Sequence, residues 1–423
     1  MKETLPQNAK DENFDWNIDP HEKYPVLDYI RKTGLDNLLR VQFNDESLRD
    51  GLQGVEKYPT LDEMKKYVDL ASQVGIEHMT VGIYSGPDSV LNKQTLELLS
   101  YMRNNSKISP IVAVRPLEED LDFAEKCLQI NSLTQITVFQ GMSPIRLKTL
   151  GWEEGQVIEN ISKSISRLSE KGIPTIALTE DTSRTSPESV QRFIKAVVQS
   201  GAKRIAVTDT VGSLDPFGTF RIISAVKSML IKEGSEVGID FHNHNDRGLA
   251  TANALQAINA GADRVHAVLY GVGERAGNAP LDIIIYNVNR MLRESGHAGK
   301  YDLSKIYEIS KYYSEITGAK ISPHTPLVGG HAFSTSVGIH ADAEEKADDP
   351  FNLYSGVDSR ELKREHDYQI GPMSGAANVS MWMKNHGYGI VDKKDPKIKS
   401  ILTFAKTRNR VLTNQEIINL LNI

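Results

Sequence analysis

The sequence predicts an α/β protein: a closed (β/α)8 barrel, the TIM-barrel fold class, followed by a smaller, mostly α-helical C-terminal region. Three observations predict it. Short apolar runs alternate with longer stretches of helical periodicity, and eight such units recur at roughly 25–40 residues over about 250 residues, the size and repeat count of such a barrel. The runs are rich in Val and Ile without clean alternation, which implies parallel strands covered on both faces. Three helical stretches end in glycine just before the next run, in "SQVGIEHM", "VQSGAKRI" and "INAGADRV". That is a helix C-cap followed by a short αβ loop.

In chain order, strands are expected at "RVQF" (40–43), "HMTVGI" (78–83), "PIVAVR" (110–115) and "QITVFQ" (135–140). They continue with "TIALTE" (175–180), "RIAVTD" (204–209), "VGIDFHNH" (237–244) and "RVHAVLYG" (264–271). Helices such as "TLDEMKKYVDLASQVG" and "SPESVQRFIKAVVQSGA" lie between them. An open doubly wound sheet is the rival, and "YGVGERAGN" is the glycine motif that could support it. Its spacing is G-x-G-x-x-x-G and it follows the last strand, not the first, so the barrel is preferred. The expected organisation is a polar N-terminal extension (1–37), the catalytic barrel (38–295) and the mostly helical C-terminal region (296–423). The last contains "YDLSKIYEISKYYSEITG", a Gly/His-rich loop "SPHTPLVGGHAFSTSVGIHAD" and a closing helix "NQEIINLLN".

Composition narrows the function. The chain has 423 residues, 39% apolar and 25% charged, with a net charge of −6. Such a balance argues against nucleic acid bound through a general basic surface. The single cysteine, Cys127, excludes an intrachain disulfide framework and a Cys-rich zinc module, and suits a reducing cytoplasm. It falls on a helix, where a buried apolar role is expected. The N-terminus carries no apolar core of a signal peptide, and no run approaches ~18 apolar residues, so no membrane span is expected.

In a barrel of this kind the reacting groups sit at the C-terminal ends of the strands. His242 and His244 stand at the end of strand seven, two apart and therefore on one face, with Asp246 on the same alternation. The loop after strand one, "NDESLRDGLQG", holds Asp45, Arg49, Asp50 and Gln53; the loop after strand eight, "GVGERAGN", holds Glu274, Arg275 and Asn278. Strands seven, eight and one become neighbours on closure. Two imidazoles and a carboxylate with open positions suit a catalytic divalent metal. Singly, an H-x-H pair or an "RDG" turn is usually ordinary surface; the joint placement is what points to a site.

"LRDGLQG", "EDTSRTSPE", "TDTVG", "HNHNDRGLATANALQAINAGADRV" and "GVGERAGN" resemble, in order, the motifs of the DRE-TIM metallolyase superfamily. The match is to its Claisen-condensing branch, the 2-isopropylmalate, citramalate and homocitrate synthases. "VGGHAFSTSVGIHAD" is similar to that family's post-barrel segment. The resemblance implies Asp50, His242 and His244 as metal ligands, with Asn278 a weaker one. It implies Arg49 against the carbonyl oxygen of a 2-oxo acid, Gln53 nearby, and Thr210 on its carboxylate. His340, with Tyr354 beside it, would be the catalytic pair supplied in trans by the partner of a homodimer. Cofactors would be a divalent ion (Zn, Mn or Mg), with acetyl-CoA as co-substrate; the implied reaction is condensation with 2-oxoisovalerate, a step of leucine biosynthesis. Pyruvate or 2-oxoglutarate are the alternative acceptors.

There are departures. Strand two of the family often reads "I-E-x-G", where this chain has "MTVG" with Thr80. The chain ends at Ile423, so the regulatory domain that many isopropylmalate synthases append is not expected. A 3-hydroxy-3-methylglutaryl-CoA lyase would suit "RDGLQ" but carries a cysteine in the glycine loop after the last strands, where this chain has none. A metal-dependent hydrolase of the amidohydrolase kind carries its H-x-H pair on strand one, where this chain has it on strand seven, and a non-catalytic barrel would have lost Arg49, Asp50 or the histidines.

Overall fold

The computed structural model describes residues 34–389 and 392–422. The polar extension expected over 1–37 therefore lies almost wholly outside the described residues. Eight parallel strands, β1 (Gln42–Asp45), β2 (His78–Ile83), β3 (Ser109–Val114), β4 (Gln135–Gly141), β5 (Thr175–Glu180), β6 (Arg204–Asp209), β7 (Gly238–Asn243) and β8 (Arg264–Ala267), follow one another in the order of a closed barrel. The barrel expected from the sequence is the one observed.

The surrounding helices are α1 (Leu61–Val74), α2 (Val90–Asn105), α3 (Glu118–Ile130), α4 (Pro144–Leu150), α5 (Glu154–Glu170), α6 (Pro187–Gln199), α7 (Pro216–Lys232), α8 (Ala250–Ala260) and α9 (Leu281–Glu294). Their ends follow from local chemistry. Thr60 and Glu63 form a reciprocal capping box that starts α1. Gly75 and Gly261 stop α1 and α8 at φ 99° and 105°, a left-handed posture that glycine adopts without a Cβ clash.

Five strands differ from expectation: β3, β4 and β7 by a single residue at one end or both, β1 and β8 by more. Residues 34–40 are helical, so Arg40 belongs to that helix and β1 runs instead from Gln42 into the buried Asn44 and Asp45. β8 stops at Ala267, because the chain turns at Leu269–Gly271 with Tyr270 at φ 36°. Cys127 lies fully buried on α3, and burial pushes its thiol up to about 12.

The residues pack as two compact units. One runs through Phe43 and comprises Thr137–His266 and Val288–Gly299. It holds the register β5–β6–β7–β8, in which Thr208 pairs with His242 and His242 with His266. The other comprises Asn44–Ile136, Ala267–Asn287 and the chain from Lys300 onward, with Asn44 paired to His78 and His78 to Ser109.

After the barrel come α10 (Ile306–Thr317), α11 (Gly338–Lys346), α12 (Ala376–Asn385), α13 (Pro396–Lys406) and α14 (Asn414–Leu421). The last four enclose a core of their own, with Trp382, Ile398, Ile401 and Ile417 almost wholly buried. The Gly/His-rich stretch expected as loop contains β9 (Ser334–Thr335), paired parallel to β10 (Asp367–Tyr368), and opens α11. No helix among the described residues is long and apolar enough to cross a membrane.

Candidate active site

The two-residue repeat of β7 puts Asp240, His242 and His244 on one face. The backbone N–H of His244 donates to the Asp209 carbonyl at 3.2 Å, so the strand pairing continues to the second histidine. Asn243 points the other way, and its Nδ2 donates to the Ala250 carbonyl at 3.1 Å, tying the strand to the start of α8. The two imidazoles face each other, Nε2 to Nε2 at 3.3 Å, with both residues buried.

One layer deeper lies Asp240, which accepts from Arg264 Nε at 2.9 Å and from His266 Nε2 at 3.1 Å and is ion-paired to Arg204. Burial opposes ionisation of this carboxyl, but Arg204 and Arg264, helped by His266, hold it well below the ordinary carboxylate range. His266 in turn stands edge-on to His242, with ring centroids 5.7 Å apart.

The loop after β1 is built by burial and backbone capture. Asp45 accepts the Ser47 N–H at 2.8 Å and the Tyr67 hydroxyl at 2.6 Å. Burial raises its carboxyl to about 6 against those two bonds. Tyr313, from α10, donates to the Ser47 carbonyl at 2.9 Å, and the Leu269 N–H donates to Ser47 Oγ at 3.1 Å. The loops after β1 and β8 are thereby knitted together. Arg49 pairs with Glu46 at 2.7 Å and with Asp50 at 3.3 Å. Asn278 is buried, and its Nδ2 donates to the Val272 carbonyl at 3.1 Å, so the end it can offer a cation is its oxygen.

Asp50, His242 and His244, all buried, each offer one ligand atom, and these lie within 4.8 Å of one another. Glu46, His242 and His266 form a second such group. The donor set fits a divalent ion: ligand atoms at the roughly 2.0–2.2 Å bond lengths of a tetrahedral site stand roughly 3.3 Å apart, the separation of the two Nε2 atoms.

Of the remaining expected residues, Gln53 is exposed on the same loop. Thr210 Oγ1 accepts the Asp181 N–H at 2.9 Å, just past the end of β6. His340 and Tyr354 are both exposed and stack on each other at 4.2 Å between ring centroids. The residues that sequence reasoning passed over are Glu46 and His266. His266 looked like an ordinary member of an apolar strand, though it shares the inward alternation; Glu46 looked like one more polar residue in a loop.

A (β/α)8 barrel with a donor set at its strand ends that could hold a divalent ion has the architecture of a metal-dependent enzyme of the TIM-barrel class. The HMGL-like family model matches residues 40–312, and the chain belongs to that family. It is similar to the 2-isopropylmalate synthase of Sulfolobus acidocaldarius, 27% identical over 377 residues, which are 89% of this chain and 93% of that one. It is also similar to homocitrate synthase 1 of Nostoc sp., 26% identical over 384 residues, 90% of this chain and 97% of that one. Among solved structures, the HMG-CoA lyase of Brucella melitensis matches with a TM-score of 0.55 at 18% identity, over 66% of this chain and 99% of its own. That likeness is one of fold.

Proposed function

We propose that this chain is an acyl-CoA:2-oxo acid acyltransferase that condenses acetyl-CoA with 2-oxoisovalerate to give 2-isopropylmalate and CoA. The observation that carries the reading is the Asp50–His242–His244 donor group at the strand ends of a barrel similar along most of its length to 2-isopropylmalate synthase. When bound there, with Asn278 Oδ1 as a weaker ligand, a divalent ion (Zn, Mn or Mg) supplies Lewis-acid polarisation of the acceptor's ketone.

The chain's own residues do the rest. Arg49 directs its guanidinium at the ketone oxygen and stabilises the negative charge that develops as the new carbon–carbon bond forms. Thr210 orients the acceptor's carboxylate and Gln53 stands beside it. A base must take a weakly acidic methyl proton from acetyl-CoA, and an imidazole is suited to that near neutrality. His340 is assigned this role, with Tyr354 stacked against it to fix the ring. The methyl carbon attacks the ketone, and water then cleaves the thioester, releasing CoA. The exposure of His340 and Tyr354 in one chain favours a homodimer whose C-terminal region reaches the partner's active site. The protein would work in the cytoplasm.

The likeness to homocitrate synthase 1 supports a second reading, with 2-oxoglutarate, or pyruvate, as acceptor. Release of free thiol from acetyl-CoA, measured with a divalent ion and pyruvate, 2-oxobutyrate, 2-oxoisovalerate or 2-oxoglutarate, separates them. The highest rate is expected with 2-oxoisovalerate, and a His340→Ala variant is expected to lose about 10²-fold or more in turnover while still binding the 2-oxo acid. Silence with all four acceptors would overturn the reading.

A further inference from the structure

We propose that Glu46 is the positioning residue of this site: a carboxylate that locks the guanidinium of Arg49 in the orientation the acceptor's ketone requires. The proposal rests on the acyltransfer reading above.

Glu46 follows directly on β1 and is 2% exposed. Both of its oxygens are committed. Oε1 accepts from Asn44 Nδ2 at 2.8 Å and from the Thr80 hydroxyl at 2.9 Å. Oε2 accepts from Arg49 Nε at 2.8 Å and from Arg49 Nη2 at 2.7 Å. The neutral donors on β1 and β2 thus fix the plane of the carboxylate, and the carboxylate fixes the guanidinium by one edge. A planar guanidinium held at Nε and Nη2 presents Nη1 in a single direction. Here Nη1 stands 3.3 Å from Asp50 Oδ2, so the same chain of contacts runs from strand β2 to a residue of the candidate metal group.

Thr80 anchors the carboxylate from β2. A threonine cannot itself hold a guanidinium, but its hydroxyl, 2.9 Å from Glu46 Oε1, ties that carboxylate to the neighbouring strand. Thr80 and Glu46 thus form one buried pair across β1 and β2, with Glu46 the member that reaches Arg49.

Two variants and a spectrum test this. Glu46→Gln is expected to lower kcat/KM for the 2-oxo acid by about 10²-fold, the scale on which a misdirected group costs rate, with KM for acetyl-CoA and bound metal per chain unchanged. The double variant Glu46→Thr/Thr80→Glu is expected to recover at least about tenfold of the loss seen in Glu46→Thr alone. In arginine-selective 15N spectra the Arg49 Nε–H resonance, assigned with Arg49→Lys, is expected to move in Glu46→Gln. Parent-like kinetics in Glu46→Gln, a double variant no better than Glu46→Thr, or an unmoved Arg49 resonance would each overturn the proposal. Metal lost from Glu46→Gln in step with turnover would make Glu46 a ligand, through the group it forms with His242 and His266, and would overturn it too. If the parent protein releases no CoA from any acceptor, the acyltransfer reading fails, while the Arg49 resonance still decides whether Glu46 holds the guanidinium.

Discussion

Asp282 opens α9 with its Oδ1 accepting the Tyr270 N–H at 3.0 Å, and its carboxyl is wholly buried. Burial raises it from 3.8 to about 7, against the backbone bonds that favour the charged form. The folded protein thus keeps this proton to a higher pH than the unfolded chain does. The group's contribution to stability is complete below the unfolded value and falls as pH rises towards the folded one. Asp282→Asn keeps an acceptor for Tyr270 and removes the titration. Its urea midpoint is expected to change less than the parent's between pH 4 and pH 7, with the two curves diverging as pH rises by an amount on the order of a few kcal/mol. Parallel curves would contradict this. At the same scale, His242 and His244 were legible because a two-residue spacing at a strand end announces a shared face. His266 and Glu46 were not: a histidine within "RVHAV" and a glutamate within "NDES" acquire their roles only from partners on other strands, such as Asp240 for His266 and Thr80 for Glu46.

The elements repeat the pattern. Three of the eight strands, β2, β5 and β6, were placed to the residue from their apolar runs. β8 was read four residues too long because "VLYG" continues the apolar run, while Tyr270 takes a left-handed backbone conformation that nothing in its residue type announces. The approach of the loops after β1 and β8 was equally hidden, since glycines in both have a loop reading of their own. A Cβ on Gly54 would lie 2.3 Å from the Gly273 carbonyl oxygen and 2.6 Å from its carbon, so the two backbones touch where a side chain would stand. Gly54→Ala is expected to separate the loops, lowering stability by about 1–3 kcal/mol and displacing Asp50 enough to reduce turnover. Unfolding by urea and a rate at saturating substrate check it; a variant matching the parent in both would show that the loops have slack.

At the scale of the whole molecule, the alternation of strands and helices pointed to a parallel sheet covered on both faces, and eight units over about 250 residues favoured the closed barrel over the open doubly wound sheet. The helical C-terminal region was legible as helices, but not as a core built around Trp382, because its contacts join segments far apart in the chain. His340 and Tyr354, 14 residues apart, were paired through the resemblance and not through any pattern of their own; in the structure their rings stack. In the proposed acyltransferase, Asp50, His242 and His244 hold one divalent ion. Elemental analysis of the purified protein after dialysis against metal-free buffer checks this assignment. One divalent ion per chain is expected in the parent and close to none in His242→Ala, at unchanged helical content. An ion retained in full by His242→Ala would contradict the assignment.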